Sequence, residues 1–344
     1  MAQKIGYHAT IGSQIASSRP NQGERQLLAL FSELSMDSIG GRCRLELGGN
    51  RVEAPAPGDA ISVELSAGES SAAVFTGEVE AVEVTATSQR IVASDGLVKL
   101  GRLDIEVTYE DVSVDFIVKD LLDQAGISIG TIDTGPDLAV YVIHRGPRAL
   151  HYAQELAALC GADLYTDGRG AAHFASPRQG AADHRFSYGE SVISLDLYRP
   201  PLVVDSIAVW GEGAAGSKGA DKTHWLASDL AGVSGKAAID ASGATTSGSL
   251  GQSPRQLKSG AVRTGEAAQA CADGHMAALA SRRVRGRVDI FGTPGIEPGD
   301  LIDIADLPDQ HAATSALLKN HTLRVRQVRH LMSRRRGYIT RLEF

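Results

Sequence analysis

The sequence has no long apolar run. No stretch of its 344 residues approaches the roughly 18 uncharged apolar residues of a membrane-spanning helix. Residues 1–20 also lack the apolar core of a signal peptide. The sequence therefore predicts a protein without a membrane-spanning segment that matures in the cytosol.

Cysteine is scarce. Cys43, Cys160 and Cys271 are separated from one another by more than a hundred residues and have no CxxC or Cys/His ligand spacing. This spacing argues against a disulfide framework and against structural zinc.

Motifs of catalysis and cofactor binding are also missing: there is no GxSxG elbow, no GxxxxGK[ST] loop, no HExxH, and no GxGxxG between a strand and a helix. His151 and Glu155 have metal-ligand spacing, but a metal centre needs three or four ligands. Asp163, Asp167 and Gly168 resemble a calcium loop, although a hairpin turn explains them with fewer assumptions. We predict no catalytic residue, no cofactor and no metal, and hence no enzyme.

Aromatic residues are few, at 5% of the chain, which is low for a sugar-binding cleft. Carboxylates are nevertheless plentiful, and two of them at a suitable separation would be enough for glycoside hydrolysis. A cell-wall or polysaccharide hydrolase is therefore the alternative function.

The charge is distributed unevenly. The net charge of −7 argues against wrapping nucleic acid, which needs many basic residues. Residues Asp59–Asp137 contain 16 acidic and 4 basic residues, whereas Arg282–Arg341 contains 11 arginines and Lys319 against 6 acids. These segments are either two solvated faces, or surfaces of opposite charge that meet across a subunit contact or line different parts of a channel.

The length predicts two or three domains. Residues 1–103 have the alternating pattern of strands, as in Ile61–Leu65 and Val79–Val84, with a register break near Ala81. Antiparallel strands at this spacing predict a small β-barrel or sandwich as the first domain.

Residues 104–200 predict a small α+β middle domain. One helix follows Ser113 and stops at Gly126, and a second begins near Pro147 and stops at Gly161. The buried stripes predicted for these helices are Phe116, Ile117, Leu121 and Ala125 in the first, and Leu150, Ala153, Leu156, Ala157 and Cys160 in the second.

Residues 201–344 predict a second β domain. It contains a Gly/Ser-rich insertion at about 211–265 with little periodicity, which is typical of a loop, and an Ala-rich helix near Glu266–Arg283. Arg324, Arg326 and Arg329 lie in the phrase LRVRQVR, where the arginines alternate with apolar residues, so we expect them on one face of a strand. We predict that these three arginines contact a neighbouring subunit, the alternative being a solvated strand face.

Several phrases together resemble the late control D family of contractile-tailed phages, which includes the hubs of related injection systems and of type VI spike proteins. The phrases are FTGEV (Phe75–Val79), the helix, Gly-Ala-Asp and hairpin segment His144–Phe174, the turn Pro298–Asp300, and the final pair RVRQVRH and RGYITRLEF. Together they span most of the chain outside the insertion.

The resemblance implies a mainly β fold with an α+β insertion: two similar, tube-like β-barrel domains and the middle domain. It implies a homotrimeric baseplate hub whose six barrels adapt a hexameric tail tube above to a trimeric spike below. The spike would be a separate protein, other baseplate proteins would be neighbours, and DNA would pass through the lumen. The location implied is the virion tail baseplate, assembled in the host bacterial cytoplasm. Phage, bacteriocin and injection system remain equally open.

Overall fold

The computed structural model describes residues 4–21, 23–49, 53–212, 233–319 and 321–344. The fold is mainly β, as predicted. None of the helices among these residues is long and apolar enough to span a membrane.

The N-terminal part consists of strands joined by short turns. Its elements are β1 (Ile5–Ile11), β2 (Gln14–Ser17), β3 (Leu27–Ser35), β4 (Arg42–Gly48), β5 (Ala60–Ala67), β6 (Ser70–Val84) and β7 (Ser88–Ser94). The predicted register break is confirmed, because the pairing of β6 with β7 shifts between Val79 and Ala81. Alternate side chains of these strands enclose a core that includes Phe75, Leu45 and Ile91.

The middle part mixes helices with short strands. Its elements are α1 (Leu97–Arg102), β8 (Val107–Ser113), α2 (Val114–Gln124), β9 (Ile129–Ile132), β10 (Asp137–Ile143), α3 (Ala149–Cys160), β11 (Asp163–Thr166) and β12 (Ala172–Ala175). Both predicted helices are confirmed, but Phe116 was placed on the wrong face of α2. Its side chain is 52% exposed, because the buried stripe runs through Val114, Ile117, Val118, Leu121 and Leu122.

Among the residues that the structure describes, the C-terminal part contains the remaining strands and two helices. Its elements are β13 (His184–Ser187), β14 (Val192–Tyr198), β15 (Ser206–Trp210), β16 (Ser234–Ile239), β17 (Thr245–Ser247), β18 (Pro254–Lys258), α4 (Gly265–Ser281), β19 (Arg285–Phe291), β20 (Leu301–Ala305), a 3-10 turn (Asp309–His311), α5 (Ala312–Leu318), β21 (Leu323–Arg324), β22 (Gln327–Ser333) and β23 (Gly337–Glu343).

The prediction of a Gly/Ser-rich loop at about 211–265 is wrong for the residues of this segment that the structure describes. Residues 213–232 lie outside the described residues, but β16, β17 and β18 form a four-stranded sheet with β15, in the order β17-β16-β15-β18, and α4 packs against it. Small residues allow this packing. A Cβ atom on Gly235, for example, would lie 2.1 Å from the carbonyl oxygen of Ala268 in α4.

One sheet of 11 strands joins the two ends of the chain, in the order β14-β19-β23-β22-β3-β4-β7-β6-β5-β1-β2. Strand β22 pairs antiparallel with β3, from Gln327 opposite Ser35 to Ser333 opposite Ala29. No sheet of the described residues closes into a barrel, so the expected pair of barrels is not confirmed. The two predicted β regions instead share one continuous sheet.

Helices α3 and α4 approach each other at glycines. Gly161 ends α3 with a positive φ of 64°, which glycine adopts without a steric penalty. A Cβ atom on Gly274 of α4 would lie only 2.0 Å from the carbonyl oxygen of Cys160. The contact therefore requires a residue without a side chain at Gly274.

We expect Gly274→Ala to lower the free energy of unfolding by about 1–3 kcal/mol, because the two helix backbones would have to separate. Gly101→Ala is the matched control, since it also lies in a helix but its Cβ would meet nothing closer than 3.8 Å. The control should be neutral or slightly stabilising. Urea unfolding monitored by circular dichroism measures both, and equal losses would contradict the close-approach argument.

Candidate functional site

Side chains arranged for catalysis are scarce in the described part of the chain. His151 and Glu155 are 3.9 Å apart and both mostly exposed. No group of three or more His, Cys, Asp or Glu side chains in the described ranges could hold a metal ion. Asp167 accepts hydrogen bonds from the N–H groups of Arg169 and Ala171. It therefore shapes the β11–β12 hairpin, as the turn interpretation of this segment predicts.

The most highly charged buried site is a cluster of arginines around Asp163, at the start of β11. Arg324 donates from Nη1 to Asp163 Oδ2 at 2.5 Å. Arg326 donates to both oxygens of Asp163, at 3.2 and 2.9 Å, and also holds Asp37, in the turn after β3, at 2.7 Å. Arg326 therefore links Asp163 of the middle part to Asp37 near the N-terminal end of the chain.

The electrostatics of this cluster depend on charge pairing. Burial alone would raise the pKa of Asp163, but the hydrogen bonds and positive charges of Arg326 and Arg324 outweigh burial and lower it. Burial would similarly lower the pKa of Arg326, and the two aspartates raise it instead. Asp163 and Arg326 are therefore both charged at neutral pH, and removing Asp163 leaves buried guanidinium groups with less compensating charge.

The structure places two of the three predicted interface arginines inside the chain. Arg324 and Arg326 are 5% and 6% exposed, so the solvated-face alternative is wrong for them. The regular strand expected across LRVRQVR is interrupted between β21 and β22, and both side chains contact Asp163. Their role in a subunit contact stays a prediction.

Arg329 lies on the surface of the 11-stranded sheet. Its Nε donates to Glu33 on β3, and its Nη1 donates to Glu343 on β23 at 2.7 Å. On the next strands Arg341 pairs with Asp289 at 2.7 Å. Because paired residues of adjacent strands point to the same side, these charges form one row across the sheet.

An apolar row runs beside this charged row. Phe31, Leu331, Ile339 and Phe291 are successive partners on β3, β22, β23 and β19. None of the four belongs to a hydrophobic core of the described chain, and Phe291 is 54% exposed. We call the side of the sheet that carries both rows the outer face.

The predicted acidic segment is partly neutralised by local partners. Glu78 on β6 lies 2.9 Å from Lys99 of α1, and Glu83 lies 2.7 Å from Arg90 on the neighbouring strand. Pairs this exposed contribute little stability, so their main effect is to reduce the net charge of this surface.

Glu297 forms a second junction, which sequence reasoning missed. Its two carboxyl oxygens accept from the N–H of Gly168 at 3.2 and 3.0 Å, which ties the β11–β12 hairpin to the turn before β20. Burial raises the pKa of Glu297 to about 8, and the charges of Asp167 and Asp300 add to this effect, while the Gly168 N–H opposes it. The carboxyl group is therefore mostly protonated at pH 7.

The sequence carried partial signals for these junctions. Asp163 lies in the Gly-Ala-Asp phrase of the middle part, and Asp300 in the Pro-Gly-Asp turn. Asp37 and Glu297 have no local pattern that separates them from solvated acids. Only the fold, which brings distant segments together, identifies their partners.

Comparison with known proteins adds information at the level of the fold. By sequence, the chain matches no family model and no curated protein. Among solved structures it is similar to the 43 kDa tail protein of prophage MuSo2 from Shewanella oneidensis, with 14% identity, a TM-score of 0.65, and coverage of 99% of this chain and 98% of that one. The chain shares the fold of phage tail proteins.

Two further structures extend this similarity. A tail protein from Neisseria meningitidis MC58 has 11% identity and a TM-score of 0.66, with coverage of 100% of this chain and 96% of that one. The E. coli c3393 protein, a component of the type VI secretion system, has 11% identity and a TM-score of 0.56, with coverage of 97% and 75%. At these identities the likeness shows a common fold, which extends over nearly the whole chain.

We expect Asp163→Asn to destabilise the fold by about 3–5 kcal/mol, because it leaves Arg324 buried without its carboxylate and Arg326 with Asp37 alone. The control Asp196→Asn removes an exposed partner of Arg287 and should change stability by no more than about 0.5 kcal/mol. The pKa of Asp163 is lowered on folding. The difference in free energy of unfolding between the wild type and Asp163→Asn should therefore be constant above about pH 4 and become smaller at lower pH. A difference that does not depend on acid would contradict this account.

Glu297 should give the opposite pH dependence. Its pKa rises from 4.5 to about 8 on folding, so the stability it contributes is complete below pH 4.5 and is lost as the pH rises towards 8. Glu297→Gln keeps an acceptor oxygen for Gly168 and cannot ionise. The variant should match the wild type near pH 5 and exceed it at pH 9, by up to about 4 kcal/mol. Parallel stability curves from urea unfolding between pH 5 and 9 would refute the assignment.

Proposed function

We propose that the protein is a structural subunit of a contractile phage-type tail, and specifically its baseplate hub. The observation that carries this proposal is the similarity to two tail proteins, one of them from a prophage, with TM-scores of 0.65 and 0.66 over almost the full length of all three chains. The E. coli type VI component, described as structurally similar to the T4 tail proteins gp27 and gp5, supports the hub within this class. In this role the protein acts through its interfaces and performs no catalysis.

The proposed assembly is a homotrimer that joins a hexameric tube to a trimeric spike. A threefold ring matches six tube subunits only if each chain offers two similar docking surfaces. The two β regions, proposed as tube-like domains at residues 1–103 and 201–344 around a middle domain at 104–200, would supply them. Three hydrophobic cores, each drawn mainly from one of these parts, support the division, and they cross its boundaries at Leu97 and Leu100, at Phe186 and Val192, and at Tyr338.

The outer face is the proposed place of subunit contact. It presents an apolar row beside a row of charges that includes Arg329, and an exposed apolar patch on a soluble protein commonly marks an interaction surface. Arg326 could contribute from a neighbouring cleft, whose wall it shares with Asp37 and Arg282. Arg324 would act indirectly, by holding Asp163 in place.

The remaining partners follow from the proposed position in the tail. The tube protein would bind above the ring, a separate spike protein below it and other baseplate proteins around it, within a virion tail baseplate assembled in the bacterial cytoplasm. An acidic lumen, supplied by part of Asp59–Asp137, would let DNA pass without adhering.

Glu297 does not support the hydrolase alternative. Its raised pKa suits a general acid, but its contacts do not. Both of its oxygens accept from the backbone N–H of Gly168. The carboxyl group of Glu297 therefore joins two segments of the chain.

The test of the assembly is the mass of the purified chain by light scattering, at two salt concentrations. We expect a trimer, formed by the chain alone or after addition of the tube or spike protein. Phe291→Asp should reduce the mass to that of a monomer, because it places a charge within the apolar row. Phe116→Asp is the matched control, since Phe116 is 52% exposed on α2 and Phe291 is 54% exposed. Two variants with the same mass as the wild type would refute the outer-face contact.

A further inference from the structure

The buried cluster around Asp163 is short of negative charge. It contains the guanidinium groups of Arg282, Arg324 and Arg326, and the carboxylates that pair with them among the described residues are those of Asp37 and Asp163, within 4 Å. The C-terminal end of α4, where Arg282 lies, offsets part of this excess through the helix dipole, equivalent to about half a charge. A positive charge therefore remains without a full partner.

Arg282 is the member that lacks a partner at close range. Arg326 and Arg324 take the short contacts to the carboxylates, and Arg282 Nη2 is left 3.5 Å from Asp163 and 3.9 Å from Asp37. Its Nε–H is buried and has no acceptor among the described residues. Burial, followed by the charge of Arg326, lowers the pKa of Arg282. Each observation indicates a guanidinium group that would gain from another anion.

A second arginine beside it is also without a carboxylate. Arg285 donates from Nε to the carbonyl oxygen of Arg282, and no ion pair to it occurs in the part of the chain that the structure describes. By contrast, the nearby Arg287 pairs with Asp196 at 2.7 Å, and Glu343 is held by Arg329 at 2.7 Å. The neighbouring carboxylates are therefore committed to other arginines.

Both arginines line one solvent-accessible cleft of about 500 Å³, which we call the arginine cleft. It opens between the end of α4, strand β14, the start of β19 and the end of β23. We propose that the arginine cleft binds an oxoanion, either a phosphate group or a carboxylate, between Arg282 and Arg285. Planar guanidinium groups suit both ligands, because their paired N–H donors match two oxygens of the anion.

We expect this cleft to bind an oxoanion more strongly than an exposed basic patch would. Tyr198 and Phe344 also line the cleft, and their apolar rings reduce the water around the bound anion, which strengthens its attraction to the arginines. An oxoanion there would accept from Arg282 and supply the negative charge that the cluster lacks. The inference depends only on these contacts and does not require the proposed tail function.

The experiment is a titration with sodium phosphate against sodium chloride of equal ionic strength, read by the thermal unfolding midpoint and by light scattering. A ligand that binds only the folded state raises the midpoint as its concentration passes the dissociation constant. Arg285→Gln is the principal variant, because it removes a charge that makes no internal ion pair. It should weaken phosphate binding about tenfold or more, as loss of one charge-assisted hydrogen bond predicts.

Arg282→Gln should have at least the same effect on binding, and its own stability is measured without phosphate to separate folding from binding. Arg185→Gln is the control, since Arg185 is exposed and lies outside the cleft, 3.6 Å from Asp303. A rise of the midpoint at constant mass identifies a free phosphate group as the ligand. If adding phosphate changes the mass of the wild type but not that of Arg285→Gln, the ligand of the cleft is a carboxylate from a second copy of the chain. The proposal is overturned if Arg285→Gln responds to phosphate as the wild type does, or if neither phosphate nor the substitution changes midpoint or mass.

Discussion

The pairing of β3 with β22 is the constraint on which the rest of the architecture depends. It joins residues about 300 positions apart, from Ser35 opposite Gln327 to Ala29 opposite Ser333, and so fuses the two ends of the chain into one sheet. Closing such a long loop carries an entropic cost that grows only slowly with its length. A slip of one residue would reverse the face of every side chain on β22, which would remove Val328 from its core and Arg329 from Glu33.

The arginine cluster depends on that register and also helps to define it. Asp37 lies two residues after the end of β3 and Arg326 immediately precedes β22, so the correct pairing of these strands is what brings the two side chains together. Asp163 then holds the middle part of the chain against Arg326. Buried ion pairs are weak sources of net stability, but an incorrect arrangement would leave charges unpaired in the interior. The cluster therefore favours one arrangement of three chain segments over the alternatives.

What could be predicted from the sequence was local. The helices α2, α3 and α4, the hairpin at Asp167 and the register break near Ala81 follow from periodicity, caps and turn residues, which act over a few positions. The burial of Arg324 and Arg326 could not be predicted, because an alternating strand shows which residues share a face but not what covers that face. The sheet formed by Ser234–Ile239 and its neighbours was missed for a related reason. Small residues signal a loop, yet here they permit the close approach of α4.

The continuous sheet also bears on the proposed role in a tail. If the two β regions were independent barrels joined by a linker, force applied to one could be absorbed by rotation about the linker. Here the ladder from β19 through β23, β22, β3 and β4 crosses the boundary without interruption, so displacement of one half must shear several rows of backbone hydrogen bonds together. A hub that transmits load between a tube and a spike requires that kind of stiffness. The same rigidity would keep the apolar and charged rows of the outer face in fixed register, which a repeated subunit contact requires.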